Sequence, residues 1–142
     1  GGRCVSPTAL GCRKPCWYSS STLRFFGGFN RFVEELPRIK ARCVEKKLFV
    51  EADAQRAIAL ARASSDGHGV DGIQLDKVPV SELAELVRRI REIDPRITII
   101  AAGGINPQNA GAYAACGVDG LATTAPFTAK PVDMSVRMKP LE

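Results

Sequence analysis

The tetrapeptide Gly-Val-Asp-Gly occurs twice, at residues 69–72 and 117–120, each time where a helical pattern ends and an apolar run begins. A joint that recurs implies a repeated unit. Gly69 and Gly117 suit the left-handed position just past a helix, and the following valine then packs back on the helix end. The units on either side of these joints alternate strand with helix, and such alternation implies parallel pairing through right-handed crossovers. The expected class is therefore α/β, with a doubly wound sheet and a barrel as the two open architectures.

The regular pattern runs from Lys46 onward. "KKLFVEA" reads as a strand ending near Glu51, and "DAQRAIALARASS" as a helix capped by Asp53, with Ala54, Ile58 and Ala61 at helical spacing. "GVDGIQLDK" gives a second strand ending at Asp76 and Lys77. "VPVSELAELVRRIREI" is an amphipathic helix whose stripe is Leu83, Leu86, Val87, Ile90 and Ile93, with Ser81, Glu82 and Glu85 near its positive end. "RITIIAA", "PQNAGAYAAC" and "GVDGLATTA" follow as strand, helix and strand, with Pro107 suited to a first helical turn.

At 142 residues and 45% hydrophobic content, the chain has the size and apolar fraction of one ordinary domain. The formal charge is +5, with much of the excess before Lys47. No aromatic residues interleave with the later charges, so single-strand stacking is not expected and no nucleic-acid partner is assigned. No run is long and apolar enough to span a bilayer and no leader pattern is legible, so the expected compartment is the cytoplasm. The five cysteines make no framework. Cys4, Cys12, Cys16 and Cys43 match no zinc spacing, and Cys43 and Cys116 read as small core or helix residues.

Each strand interior is apolar and each strand ends in residues with chemistry: Glu51; Asp76 and Lys77; Gly103, Gly104 and Asn106; Thr123 and Thr124. In a parallel α/β fold these ends share the carboxyl rim, where ligands bind. Two carboxylates on neighbouring strand ends repel unless something cationic joins them. Asn106 has a second reading, as a cap for the helix that follows. Gly103 and Gly104, between a buried strand and a helix start, permit close approach to backbone N–H groups and so form a candidate phosphate site. No dinucleotide or nucleotide-triphosphate motif accompanies them.

"KKLFVEADAQRAIALARA", "GVDGIQLDK", "AAGGINPQNAGAYAACGVDGL" and "TTAPFTAKPVDMSV" together resemble the C-terminal half of the quinolinate phosphoribosyltransferase family, the nicotinate-nucleotide pyrophosphorylases. "IQLDK" and "TTAPFTAKPVD" are closer to its ModD branch, associated with molybdenum transport loci. The resemblance implies the C-terminal part of an open, TIM-like α/β barrel, incomplete in residues 23–142, and a homodimer in the intact protein. It implies transfer of ribose 5-phosphate from phosphoribosyl pyrophosphate to a carboxylated N-heterocycle, with Mg2+ accompanying the donor. On that reading Glu51 and Asp76 sit by the ribose hydroxyls and the metal, and Gly103 and Gly104 hold the 5-phosphate. Thr123 and Thr124 occupy another phosphate turn that usually carries glycine. Ala102 in place of a serine, and Lys77 in place of an asparagine, point away from quinolinate itself as acceptor. In the family most substrate-clamping cations lie in the first half. Lys77 and Lys130 are the cations this sequence puts near the rim. A non-catalytic fragment or pseudoenzyme that keeps a phosphate-binding rim and a dimer surface is therefore the second expectation.

Residues 1–22 read as an irregular segment. "CVSPTALGCRKPCWYSSST", residues 4–22, has neither helical nor strand periodicity and meets the family-like "LRFFGGF" abruptly. Reading the codons one nucleotide earlier allows Pro-His-Arg, then Leu-Gly-Leu-Ser, Glu-Thr-Val-Leu and Val-Phe-Glu-Gln-His. That is an amphipathic run like the one the family carries here. The expectation is a frame-shifted translation of this stretch, with the frame restored by Leu23; a genuine cysteine-bearing loop is the rival.

Overall fold

The computed structural model describes residues 15–43 and 45–128. Five parallel strands form one sheet in sequence order: β1 (Cys16–Tyr18), β2 (Leu48–Ala52), β3 (Gly72–Asp76), β4 (Thr98–Ala102) and β5 (Gly120–Ala122). The helices between them are α1 (Ser20–Leu23), α2 (Phe29–Arg42), α3 (Ala54–Ser64), α4 (Val80–Ile93) and α5 (Ala110–Ala115), and α6 (Ala125–Thr128) follows β5. Strands laid down in consecutive order without reversal have no doubly wound switch point. This is the order of a barrel wall, here an incomplete one.

The register shows how the sheet divides its side chains. Glu51 pairs with Gln74, Gln74 with Ile100, and Ile100 with Gly120. One layer toward the carboxyl ends, Asp76 pairs with Ala102 and Ala102 with Ala122. Because side chains alternate, Leu48, Val50, Ala52, Ile73, Leu75, Ile99 and Ala101 face the other way, and all are buried. Their partners are Phe32, Leu36 and Ile39 of α2, Ala57 and Leu60 of α3, Leu83, Leu86, Val87 and Ile90 of α4, and Tyr113 of α5. Each large aliphatic side chain in that layer contributes roughly 1.5–3 kcal/mol by leaving water. On the opposite face Trp17 stacks on Phe49 with centroids 4.7 Å apart. The Phe49 ring lies over Gly72, where a Cβ would come within 2.1 Å of it.

The recurring joint has a mechanical explanation. Asp71 donates its N–H to the Leu48 carbonyl (2.9 Å), and its carboxylate accepts the Leu48 N–H (2.7 Å). Asp119 repeats this on β4, with the Ile99 carbonyl and N–H both at 2.8 Å. A cation from a helix completes each clasp: Lys40 of α2 on Asp71 and Arg91 of α4 on Asp119 (3.0 Å). Burial raises the Asp71 carboxyl, but the hydrogen bonds from Lys40 and the Leu48 amide outweigh it and hold the group below its ordinary value. The aspartates thus pin the start of the preceding strand, at the edge opposite the rim.

Several expectations need correction. The helix end before β3 is closed by Gly67 (φ +86), and Gly69 is not left-handed. Gly69 is required for space instead: a Cβ there would lie 2.1 Å from Ser64 Oγ and 2.5 Å from Ser64 Cα. Ser64 Oγ itself bridges the Leu60 carbonyl and the Val70 N–H. Gly117 does take the left-handed conformation (φ +84). The buried stripe of α3 is rotated from the expected one, running through Ala57, Leu60, Ala61 and Ser64. Pro107 precedes α5 rather than opening it, because the Asn106 side chain accepts from Gln108 and Asn109 and holds a separate turn.

Regular structure also begins before Lys46. Helix α2 buries Phe32, Leu36 and Ile39 despite an internal proline, Pro37, which stands on the exposed side. Within the stretch expected to be irregular, Cys16–Tyr18 pair with Leu48–Val50, and α1 crosses the expected boundary at residue 22. Three residues are too few to show a period; the exposed edge of β2 supplies the pairing partner. Cys16 and Cys43 are buried thiols. Residues 1–14, with Cys4 and Cys12, lie outside the described residues, as does Lys130.

Candidate functional site

All the residues singled out at strand ends fall on one edge of the sheet. Glu51 ends the inward-facing set of β2, and Asp76 closes β3 on the same face, one layer nearer the rim. Both are partly exposed. Ser20 of α1 donates its hydroxyl to Glu51 Oε1 at 3.1 Å. Asp76 Oδ2 is 3.9 Å from Lys77 Nζ. Lys77 is a non-glycine residue at φ +57, held there by its N–H bond to the Ala102 carbonyl (2.9 Å). That bond extends the β3–β4 ladder past the last paired residues and turns the chain toward Val78, which is buried.

The two glycines have different reasons to be glycine. Both have positive φ, +89 at Gly103 and +74 at Gly104. A Cβ on Gly103 would lie 2.7 Å from Lys77 Cγ, 2.8 Å from Lys77 N and 3.0 Å from Asp76 Oδ1. What approaches Gly103 is the end of the neighbouring strand. At Gly104 a Cβ would meet nothing within 4 Å among the described residues. The open space belongs to the second glycine alone.

An asparagine pair braces the turn that follows. Asn109 donates its side-chain amide to the Gly104 carbonyl (3.0 Å) and accepts the Asn106 N–H (2.8 Å). The Asn106 oxygen accepts from Gln108 and Asn109, both at 3.0 Å. Asn109 was not among the expected site residues, although "NPQN" carries the Asx-turn signal that could have found it. At β5, Thr123 donates its hydroxyl to the Ile105 carbonyl (2.6 Å) and accepts the Ala125 N–H (3.1 Å), tying the β5 end to the glycine turn. Thr124 is exposed, and its carbonyl caps the short α6 through Phe127.

Magnesium is commonly held by one or two carboxylates together with substrate phosphates rather than by a full protein cage. Glu51 and Asp76, on one face in successive layers, fit that donor set; among the described residues no cluster of three or more ligating side chains forms an independent metal site. The described residues also add cations at the rim that sequence reasoning missed. Arg24 follows α1, and Arg56 lies in the first turn of α3, packed over the Phe29 ring at 5.5 Å.

Comparison with known proteins agrees with this geometry. Residues 21–137 match the family described as quinolinate phosphoribosyl transferase, C-terminal domain. A protein of Escherichia coli O127:H6 carrying the name pyrophosphorylase ModD is 30% identical over 129 residues, covering 85% of this chain and 44% of that protein. A ModD-named protein of Rhodobacter capsulatus is 38% identical over 88 residues, 61% of this chain and 32% of that one. The solved nicotinate-nucleotide pyrophosphorylase of Francisella tularensis superposes with a TM-score of 0.55 at 21% identity, over 74% of this chain and 34% of that chain. The chain thus spans less than half the length of these relatives. With its sheet in barrel order and the match covering most of its length, it belongs to the quinolinate phosphoribosyltransferase family and carries sequence of that family's C-terminal, barrel-forming domain.

Proposed function

We propose that this chain is the C-terminal portion of a ModD-type phosphoribosyltransferase, moving ribose 5-phosphate from phosphoribosyl pyrophosphate to a carboxylated N-heterocycle or related acceptor. The observation that carries the reading is the shared rim: Glu51, Asp76 and the Gly103–Gly104 turn lie on consecutive strands at one edge. Transfer builds positive charge on the ribose ring as pyrophosphate leaves. Glu51 and Asp76 stabilise that charge and hold ribose hydroxyls, while the Gly104 turn receives the 5-phosphate in the space left clear of side chains. Magnesium, when bound, neutralises the departing pyrophosphate. Lys77, Asn106, Thr123 and Thr124 border this phosphate end. The intact protein is a cytoplasmic homodimer whose partner completes the cationic side of the site.

A second reading, a non-catalytic protein that retains the phosphate-binding rim, is favoured by Thr123, whose hydroxyl is already committed to the Ile105 carbonyl and the Ala125 N–H. Calorimetry with phosphoribosyl pyrophosphate and Mg2+ tests the shared element. Gly104→Val and Asp76→Asn are each expected to weaken binding about tenfold or more. Unchanged affinity in both variants would overturn the assignment of the rim. Turnover separates the two readings: the non-catalytic reading expects no pyrophosphate release with quinolinate or another acceptor, and measurable release refutes it.

A further inference from the structure

On the face of the sheet turned away from the helices, Trp17 and Phe49 lie toward the amino edge, Glu51, Gln74 and Ile100 share the middle layer, and Asp76 stands at the rim. Gln74 is the neutral polar residue of that middle layer. Its neighbours along β3, Ile73 and Leu75, are buried on the helix side, so its own side chain belongs to the inner face. It is half-buried, and among the described residues nothing hydrogen-bonds its side-chain amide. Its surroundings offer little to pair with. Beneath it the Phe49 ring covers Gly72 and stacks on Trp17, and beside it stands Ile100. Beyond Ile100 the layer continues to Gly120, which has no side chain to fill it. An inner-face position of a barrel wall is enclosed once the wall closes, and an enclosed amide without a partner is costly.

The neighbours of Gln74 also set the charge of whatever meets it. Glu51 is its register partner, one strand spacing of about 4.8 Å away, and Asp76 follows two residues along the same face, about 7 Å away. Lys77 lies 3.9 Å from Asp76, and Ser20 donates to one oxygen of Glu51. A carboxylate brought down to this layer faces two like charges, which is unfavourable. A neutral amide meets complementary groups instead. Its N–H can be accepted by Glu51 or by the Gln74 oxygen, and its carbonyl can accept from the Gln74 amide nitrogen. We propose that Gln74 is a specificity-determining residue that reads a neutral amide edge on a planar heterocycle resting against Phe49 and Ile100. That this heterocycle is the acceptor, with its ring nitrogen toward the rim carboxylates, rests on the function proposed above; the chemistry of the middle layer does not. A site that hydrogen-bonds an uncharged edge rejects an analogue that cannot pair with it, because its own polar groups are then left unmatched.

The test titrates the full chain by NMR with three small probes, with and without phosphoribosyl pyrophosphate and Mg2+. Nicotinamide offers the amide edge as a carboxamide, 2-pyridone offers it as a ring lactam, and nicotinate is the charged counterpart of the first. Wild-type chain is expected to bind at least one neutral probe about tenfold more tightly than nicotinate, and the tighter of the two tells which form of the edge is read. Gln74→Leu should weaken that neutral probe about tenfold and bring its ratio to nicotinate close to one. Gln74→Glu, which keeps the shape but can no longer donate to a carbonyl, should weaken the neutral probe as well. Neither neutral probe binding more tightly than nicotinate overturns the proposal. So does an unchanged ratio in either variant with its circular dichroism intact, since a residue that only packs would not move the ratio. Phosphoribosyl pyrophosphate binding without such discrimination removes the role of Gln74 and leaves the transferase reading standing. Gln74-dependent discrimination without phosphoribosyl pyrophosphate binding keeps Gln74 as the reader of a neutral heterocycle and removes the transferase reading.

Discussion

Replacing Gly103 and Gly104 in turn by alanine separates a glycine held by its neighbours from one that borders open space. At Gly103 the new Cβ meets a backbone atom, Lys77 N, at 2.8 Å, and that nitrogen is committed to the Ala102 carbonyl. Lys77 Cγ at 2.7 Å can move aside; the backbone cannot without breaking the β3–β4 extension. The positive φ of +89 adds the usual penalty for a residue with a Cβ, about 1–2 kcal/mol. Overpacking against a fixed neighbour adds about 1–3 kcal/mol, so Gly103→Ala should lose roughly 2–5 kcal/mol. At Gly104, φ is +74 and the Cβ meets nothing, so only the backbone penalty applies, about 1–2 kcal/mol. Urea unfolding monitored by circular dichroism measures both, with the midpoints compared at equal slope. Binding should sort the other way among molecules that remain folded, because the Gly104 methyl occupies the open space. Equal destabilisation by the two substitutions, or a milder effect at Gly103, would refute the claim that the end of β3 dictates the first glycine.

Gly69→Ala should be strongly destabilising, since its Cβ would lie 2.5 Å from Ser64 Cα, whereas Gly67→Ala should cost only about 1–2 kcal/mol for its left-handed φ; thermal unfolding of the pair checks this. Asp71, whose folded carboxyl is held below its ordinary value, contributes stability that is present above the unfolded carboxylate pKa of about 3.9 and lost as pH falls through the folded value. Asp71→Asn should therefore cost about 1–3 kcal/mol at neutral pH and flatten the loss of stability below about pH 4, as read by urea titrations across pH. Resequencing the gene across residues 1–25 should show third bases that permit Pro-His-Arg-Leu-Gly-Leu-Ser in the neighbouring frame; codons that forbid it sink the frame-shift proposal.

What was legible in the sequence was set by period and by chemistry at segment ends. The strands and helices from β2 to β5 were visible because short, mostly apolar runs alternate with stretches of helical spacing, and local pattern and fold agree there. The rim was visible because carboxylates, Glu51 and Asp76, stand at or near the ends of mostly apolar strands. Helix α2 was not read from the sequence although Phe32, Leu36 and Ile39 keep a helical stripe; its internal proline, Pro37, removes a helix hydrogen bond and weakens the local helical signal. The bracing by Asn109 and the Gly103–Lys77 contact depend on register between segments far apart in sequence, which no local pattern records.

The two Gly-Val-Asp-Gly joints show how one motif can be recognised correctly while its cause is misassigned. Its glycines invited an explanation from backbone freedom, yet only Gly117 uses it, and Gly69 is small because Ser64 is close. The residue that makes the joint work in both copies is the aspartate. Each accepts the N–H and donates to the carbonyl of the same residue at the start of the preceding strand, and each is gripped by a cation from a helix. A clasp of this kind fixes strand position at the amino edge. In a parallel sheet that fixes where each strand ends, because strand length carries the register across to the carboxyl edge. Glu51, Asp76 and Gly103 can share a rim only if β2, β3 and β4 start in register. The aspartates at the far edge are thus the reason the candidate site residues at the near edge line up.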